Sequence, residues 1–161
     1  MIGDLLKNYW LSKGINICSG ASEKEIEQFE STNSVQLPED LRNYFTQVNG
    51  MDNSRNSEYW TCDEQEITFW SLQEVKRLPE GVMLSHFHNP ESFFEFADWS
   101  ICAHTYAIRL SSNLQEPNPV YVLYDQPVQI ASSFTEFVLE YIKTNNNVLF
   151  PDPIESDLKN P

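Results

Sequence analysis

Residues 93–112, FFEFADWSICAHTYAIRLSS, carry Asp98, Cys102 and His104 close together. These are the residue types that a cysteine-dependent enzyme uses as orienter, nucleophile and base. In a continuous strand Cys102 and His104, two apart, share a face, and Asp98 could orient the imidazole. The surroundings speak against catalysis. No glycine-rich turn or nucleophile elbow accompanies the three residues, and a free cysteine most often acts as a small buried hydrophobe. A non-enzymatic reading follows, with Cys102→Ser expected to leave biological activity unchanged.

HFHNPE poses a metal question, because His86 and His88 in an extended segment point the same way and Glu91 is near. Two histidines supply half a site at best, so no metal is expected. With only five glycines and no phosphate-cradling loop, no nucleotide or other cofactor is expected. Cys18, Cys62 and Cys102 are odd in number and widely spaced, without Cys-x-x-Cys, which fits reduced cytosol better than a disulfide framework.

The charge points elsewhere. Ten Lys plus Arg stand against 24 Asp plus Glu, a formal charge of −14 over 161 residues. Such a field repels phosphate backbones and anionic lipid, so direct binding of nucleic acid or membrane is disfavoured. The run SEYWTCDEQE, residues 57–66, has four carboxylates and no base. A solvated face is the ordinary explanation. The other is a surface for a cationic partner: Asp52, Glu58, Asp63, Glu64 and Glu66, with Tyr59 and Trp60 interleaved, combine negative potential with aromatic anchors. Tyr59 and Trp60 fit the core of a strand equally well. Trp99, flanked by Asp98 and near Glu95, forms a second candidate patch. The N-terminus lacks a secretory leader and no apolar run spans a bilayer, so a cytoplasmic protein is expected, monomeric or a weak dimer.

The elements that must position these residues are legible in outline. Ser22 with Glu25, Ser71 with Glu74, and Ser133 with Glu136 each read as a helix-opening capping box. They predict helices over SEKEIEQFEST, SLQEVKRL and SSFTEFVLEYIK. LPEDLRNYFTQVNG adds a fourth, with Pro38 at its start, Leu41, Tyr44, Phe45 and Val48 on one face, and Gly50 left-handed at its end. EITFW and VYVLY read as strands, the latter interior, followed by a short strand ending near Ile130. Phe94 and Phe96 share one side of a strand and Tyr106, Ile108 and Leu110 one side of the next, with the turn at Trp99–Ala103. Pairing symmetric about Cys102 would set Glu95 across from Arg109. The sum is an α+β domain: a mainly antiparallel sheet of about five or six strands with helices packed on it, over residues 1–145. Residues 146–161 form a tail that is ordered only if Val148, Leu149 and Phe150 dock.

In this order, LPEDLRNYFTQVNG, ITFWSLQEV, FFEFADWS, YAIRL, VYVLY and IASSFTEFVLEYI, the chain resembles the SUKH superfamily of Smi/Knr-type domains from about Ser22 to Lys143. The family's Leu-Pro matches Leu37 and Pro38, its Asn-Gly matches Asn49 and Gly50, its Phe-Ala-Asp matches Phe96, Ala97 and Asp98, and its Ser-Phe-x-x-Phe matches Ser133, Phe134 and Phe137. The chain departs from the pattern at Cys102, Ala103 and His104, where related sequences are richer in Trp. The resemblance implies an α+β fold without catalysis. It also implies one of two roles: a bacterial immunity protein that binds and neutralises a cognate polymorphic toxin, or a regulatory or scaffold module of the fungal cell-wall-regulator type. Compactness favours the first, and a toxin with a basic, nucleic-acid-cutting site would complement the charge.

Overall fold

The computed structural model describes residues 1–52, 62–78, 90–124 and 127–151. Among them the elements run α1 (Ile2–Ser12), α2 (Glu23–Asn33), α3 (Glu39–Gln47), β1 (Ile67–Phe69), β2 (Lys76–Arg77), β3 (Phe93–Trp99), β4 (His104–Arg109), β5 (Val120–Leu123), β6 (Pro127–Ala131), α4 (Phe134–Ile142) and α5 (Asn146–Leu149). The six strands form one open antiparallel sheet in the order β1-β3-β4-β5-β6, and β2 shares with β1 the outer edge of β3. This is the expected α+β architecture, with VYVLY interior between β4 and β6.

Helices cover one face of that sheet. Phe69 and Phe96 meet Phe137 of α4, Trp10 of α1 and Tyr44 of α3 meet Phe69, and Phe29 of α2 meets Phe94. Burying rings of this size drives the collapse, and their edge-on contacts add a directional preference. The helix starts explain themselves locally. Ser22 Oγ accepts from the Glu25 amide while the Glu25 carboxylate accepts from Ser22 N–H, a complete capping box. At α4, Ser133 Oγ accepts from the Glu136 amide, but the Glu136 carboxylate reaches one residue further back to Ser132.

Three local features depart from the expectations, and a fourth answers a conditional one. SLQEVKRL is not a helix: Ser71 and Glu74 close a single turn, and Lys76 and Arg77 then pair with β3 as a strand. The open edge of β3 offers those residues a ladder that one capped turn cannot outcompete, since helix nucleation is costly. A β-bulge between Glu95 and Ala97 shifts the hairpin register, so Arg109 lies opposite Phe93 and Glu95 opposite Ala107. The Glu95–Arg109 pair is therefore absent, and Arg109 binds Glu116 at 2.6 Å instead. No element was expected over residues 2–12, yet α1 forms there with Leu6 and Trp10 buried. Beyond residue 145, Leu149 of α5 is fully buried and Phe150 packs on Trp99 at 5.0 Å.

Candidate functional site

The β3–β4 turn is built around Asp98. The bulge brings Glu95 and Asp98, three apart, onto the same side of the sheet, because they pair with Ala107 and Thr105 respectively. That side lies away from the helices. Asp98 Oδ2 accepts from Trp70 Nε1 at 2.6 Å, and Oδ1 accepts from the Cys102 amide at 2.9 Å. Glu95 accepts from Thr105 Oγ1 at 2.7 Å and faces Lys76 at 3.6 Å. Expected at the surface, Glu95 and Asp98 are instead 8% and 4% exposed, with their oxygens engaged inside the protein.

The turn that Asp98 closes is left-handed. Ser100, Ile101 and Cys102 have φ of 49°, 57° and 62°, and the Ala103 amide donates back to Trp99 and Ser100 carbonyls. None of the three is Gly, Asn or Asp, the residues that tolerate this region. Ile101 is 68% exposed at the tip.

This geometry leaves no catalytic trio. His104 stacks on Trp99 with centroids 5.6 Å apart and meets Tyr124 edge-on at 4.5 Å, and among the described residues no hydrogen bond joins it to Asp98 or Cys102. The Cys102 thiol is pushed above its ordinary value by partial burial and by the Asp98 carboxylate, the reverse of what activates a nucleophile. Among the described residues no cluster of His, Cys, Asp and Glu could hold a metal, and His86 and His88 lie outside them.

The acidic run begins to take shape at residues 62–66. Asp63 Oδ1 accepts from the Gln65 and Ile67 amides, each at 2.8 Å, and so folds the turn that enters β1. Its Oδ2 is buried beside the Tyr141 hydroxyl without a well-formed hydrogen bond, and burial pushes the carboxyl above the usual carboxylate range. Glu64 projects into solvent, paired loosely with Lys13 at 3.3 Å, and Glu66 is also exposed. Two hydrogen bonds join this turn to the hairpin: Trp99 Nε1 to Gln65 O at 3.0 Å, and Ser100 N to Glu66 O at 2.9 Å.

Of the expected partner-binding residues, Asp63, Glu64, Glu66 and Trp99 are thus brought to one end of the molecule. Asp52 is half-buried beyond α3, its amide donating to Asn16 O, and the Cys18 thiol is pushed up by burial first and by Asp52 and Glu74 next. Glu58, Tyr59 and Trp60 lie outside the described residues. Sequence reasoning missed Ile101. The signal available was a tight hairpin turn with no glycine, asparagine or aspartate at its centre.

The described residues thus form an open antiparallel sheet with helices on one face and an acidic turn hydrogen-bonded to the β3–β4 hairpin. A model of the SMI1 / KNR4 family (SUKH-1) matches residues 20–140, and the chain belongs to that family. No curated protein matches the chain. No helix among the described residues is long and apolar enough to cross a membrane.

Proposed function

We propose that the chain is a non-catalytic immunity protein of the cytoplasm that binds a cognate polymorphic toxin and neutralises it by occupying its working surface. Family membership supports the class. The observation that carries the partner's chemistry is the joining of the Asp63–Glu66 turn to the Trp99 hairpin in a chain of charge −14. Negative potential accelerates encounter with a basic protein, such as a nuclease that must itself attract phosphate, and aromatic and apolar contacts then hold the complex. No covalent step and no cofactor is required.

Co-expression with the toxin encoded in the neighbouring open reading frame tests this directly. Survival should be restored by the intact chain at stoichiometric levels, with a complex whose association slows as salt rises. Toxicity unrelieved, with no complex formed, would remove the proposal for that pair. A purified chain that turned over a substrate would overturn it outright.

A further inference from the structure

Resting on the reading above, we propose that Ile101 is the anchor of the docking surface. Its side chain enters an apolar cleft of a basic protein partner, while Glu64 and Glu66 of the adjoining turn meet cationic side chains around that cleft.

Three observations converge on this residue. A β-branched side chain in left-handed backbone is disfavoured, and at Ile101 nothing inside the protein compensates for it, because the side chain is 68% exposed. Asparagine or glycine at the tip would ease the turn without disturbing any packing. Second, the conformation is enforced from several sides. Asp98 holds the Cys102 amide, Glu66 O holds the Ser100 amide, and Ala103 donates back to Trp99 and Ser100. Beneath the tip, Trp99 stacks on His104 and packs against Phe150, which ties the base of the turn to the fold. An apolar group held in one place loses little freedom when a partner closes on it, which is where preorganised contacts gain affinity. Third, the Ser100 amide donates to the Glu66 backbone carbonyl, so the tip adjoins a turn whose Glu64 and Glu66 side chains are exposed. An apolar knob beside an acidic turn is complementary to an apolar cleft flanked by lysines and arginines.

The experiment compares the intact chain with Ile101→Asn and Ile101→Val, using as probe the toxin domain encoded in the neighbouring open reading frame. Asparagine tolerates left-handed backbone, so Ile101→Asn should melt about 2 °C higher than the parent. It should nevertheless bind the toxin domain about tenfold or more weakly. Valine keeps both the strain and the apolar knob, so Ile101→Val should retain parental affinity. Alkylation by iodoacetamide gives a readout free of substitution: Cys102, exposed beside the tip, should be protected in the complex. Unchanged affinity of Ile101→Asn, or undiminished alkylation of Cys102 in a formed complex, removes this docking site and leaves the immunity function standing. A parent chain that fails to bind the domain at all removes both.

Discussion

Two of the turns that hold left-handed backbone do so for opposite reasons. At the end of α3, Asn49 and Gly50 have φ of 49° and 90°, residue types suited to that conformation, and both sit inside. A Cβ on Gly50 would stand 2.6 Å from Ser71 N and 2.7 Å from the Trp70 carbonyl carbon. Space and backbone together demand glycine. At the β3–β4 tip, Ser100, Ile101 and Cys102 hold comparable φ values in the open, with none of the residues that fit. The first turn is what folding selects when packing is the constraint. The second keeps a disfavoured backbone where packing imposes nothing, and strain of that kind concentrates where a surface is used.

Gly50→Val tests the first half of this contrast and carries the largest expected effect. Left-handed strain of ~1–2 kcal/mol adds to overpacking of ~1–3 kcal/mol, for a loss of about 2–5 kcal/mol by denaturant titration. The clash is with backbone, which cannot rotate away. A loss under ~1 kcal/mol would mean that the Gly50–Ser71 approach is not a fixed feature of the fold.

Asp98→Asn addresses the second turn. Both carboxylate oxygens accept, one from Trp70 Nε1 and one from the Cys102 amide. Asparagine keeps one acceptor and turns a donor toward the other buried donor. The expected loss is about 2 kcal/mol, close to that of Asp98→Ala, because an unmet buried partner dominates either way. Parental stability of Asp98→Asn would show that the turn does not depend on its carboxylate.

How far the sequence reveals this follows from the same contrast. Amphipathic stripes identified α2, α3 and α4 because burying Ile26, Tyr44, Phe45 and Phe137 is a local, periodic demand. Gly50 was legible because a helix end and a glycine coincide. The capping signal at Ser71 was misleading, since it holds one turn and the competing edge of β3 lies far along the chain. The bulge at Glu95–Ala97 has no local signature, and without it Glu95 and Asp98 fall on opposite faces rather than together and inside. Asp63, Glu64, Glu66 and Trp99 were named from composition, but only the tertiary fold sews them into one end. Ile101 falls within the turn expected at Trp99–Ala103, but nothing in the sequence marks its backbone as left-handed.

Asp63 sharpens the comparison from another side, since it too closes a turn with a carboxylate, but its second oxygen is buried beside the Tyr141 hydroxyl without a well-formed hydrogen bond. Burial raises its folded-state pKa above the unfolded value of about 3.9. Between those two values the folded chain holds more protons than the unfolded one, so this group's contribution to stability falls as pH rises through the folded value. Above the folded value the full penalty stands. In Asp63→Asn the oxygen still accepts both amides and the amide nitrogen can donate to the Tyr141 hydroxyl. The variant should be more stable at pH 7 by about 1 kcal/mol, the low end of what a buried unmet acceptor costs. The gain should vanish below about pH 4, where the parent's carboxyl is protonated in both states. Urea titrations of both proteins from about pH 3 to about pH 8 read it as a difference, which cancels the opposite dependence of Glu25 and Glu136, held low by Ser22 and Ser132. A pH-independent difference would contradict the assignment.

The smallest effect separates strain from contact within the tip itself. Ser100 shares the left-handed backbone of Ile101, but its amide, not its side chain, makes the hydrogen bond to Glu66 O. Ser100→Gly relieves ~1–2 kcal/mol of backbone strain and loses ~0.4–1 kcal/mol to the greater freedom of the unfolded chain. Relief wins by a margin on the order of 0.5 kcal/mol, seen as a melting temperature about 1–2 °C higher. Partner affinity should not change, since Ile101 remains apolar and in place. If Ser100→Gly weakens binding as much as Ile101→Asn, the rigidity of the turn matters to the partner and the isoleucine side chain does not.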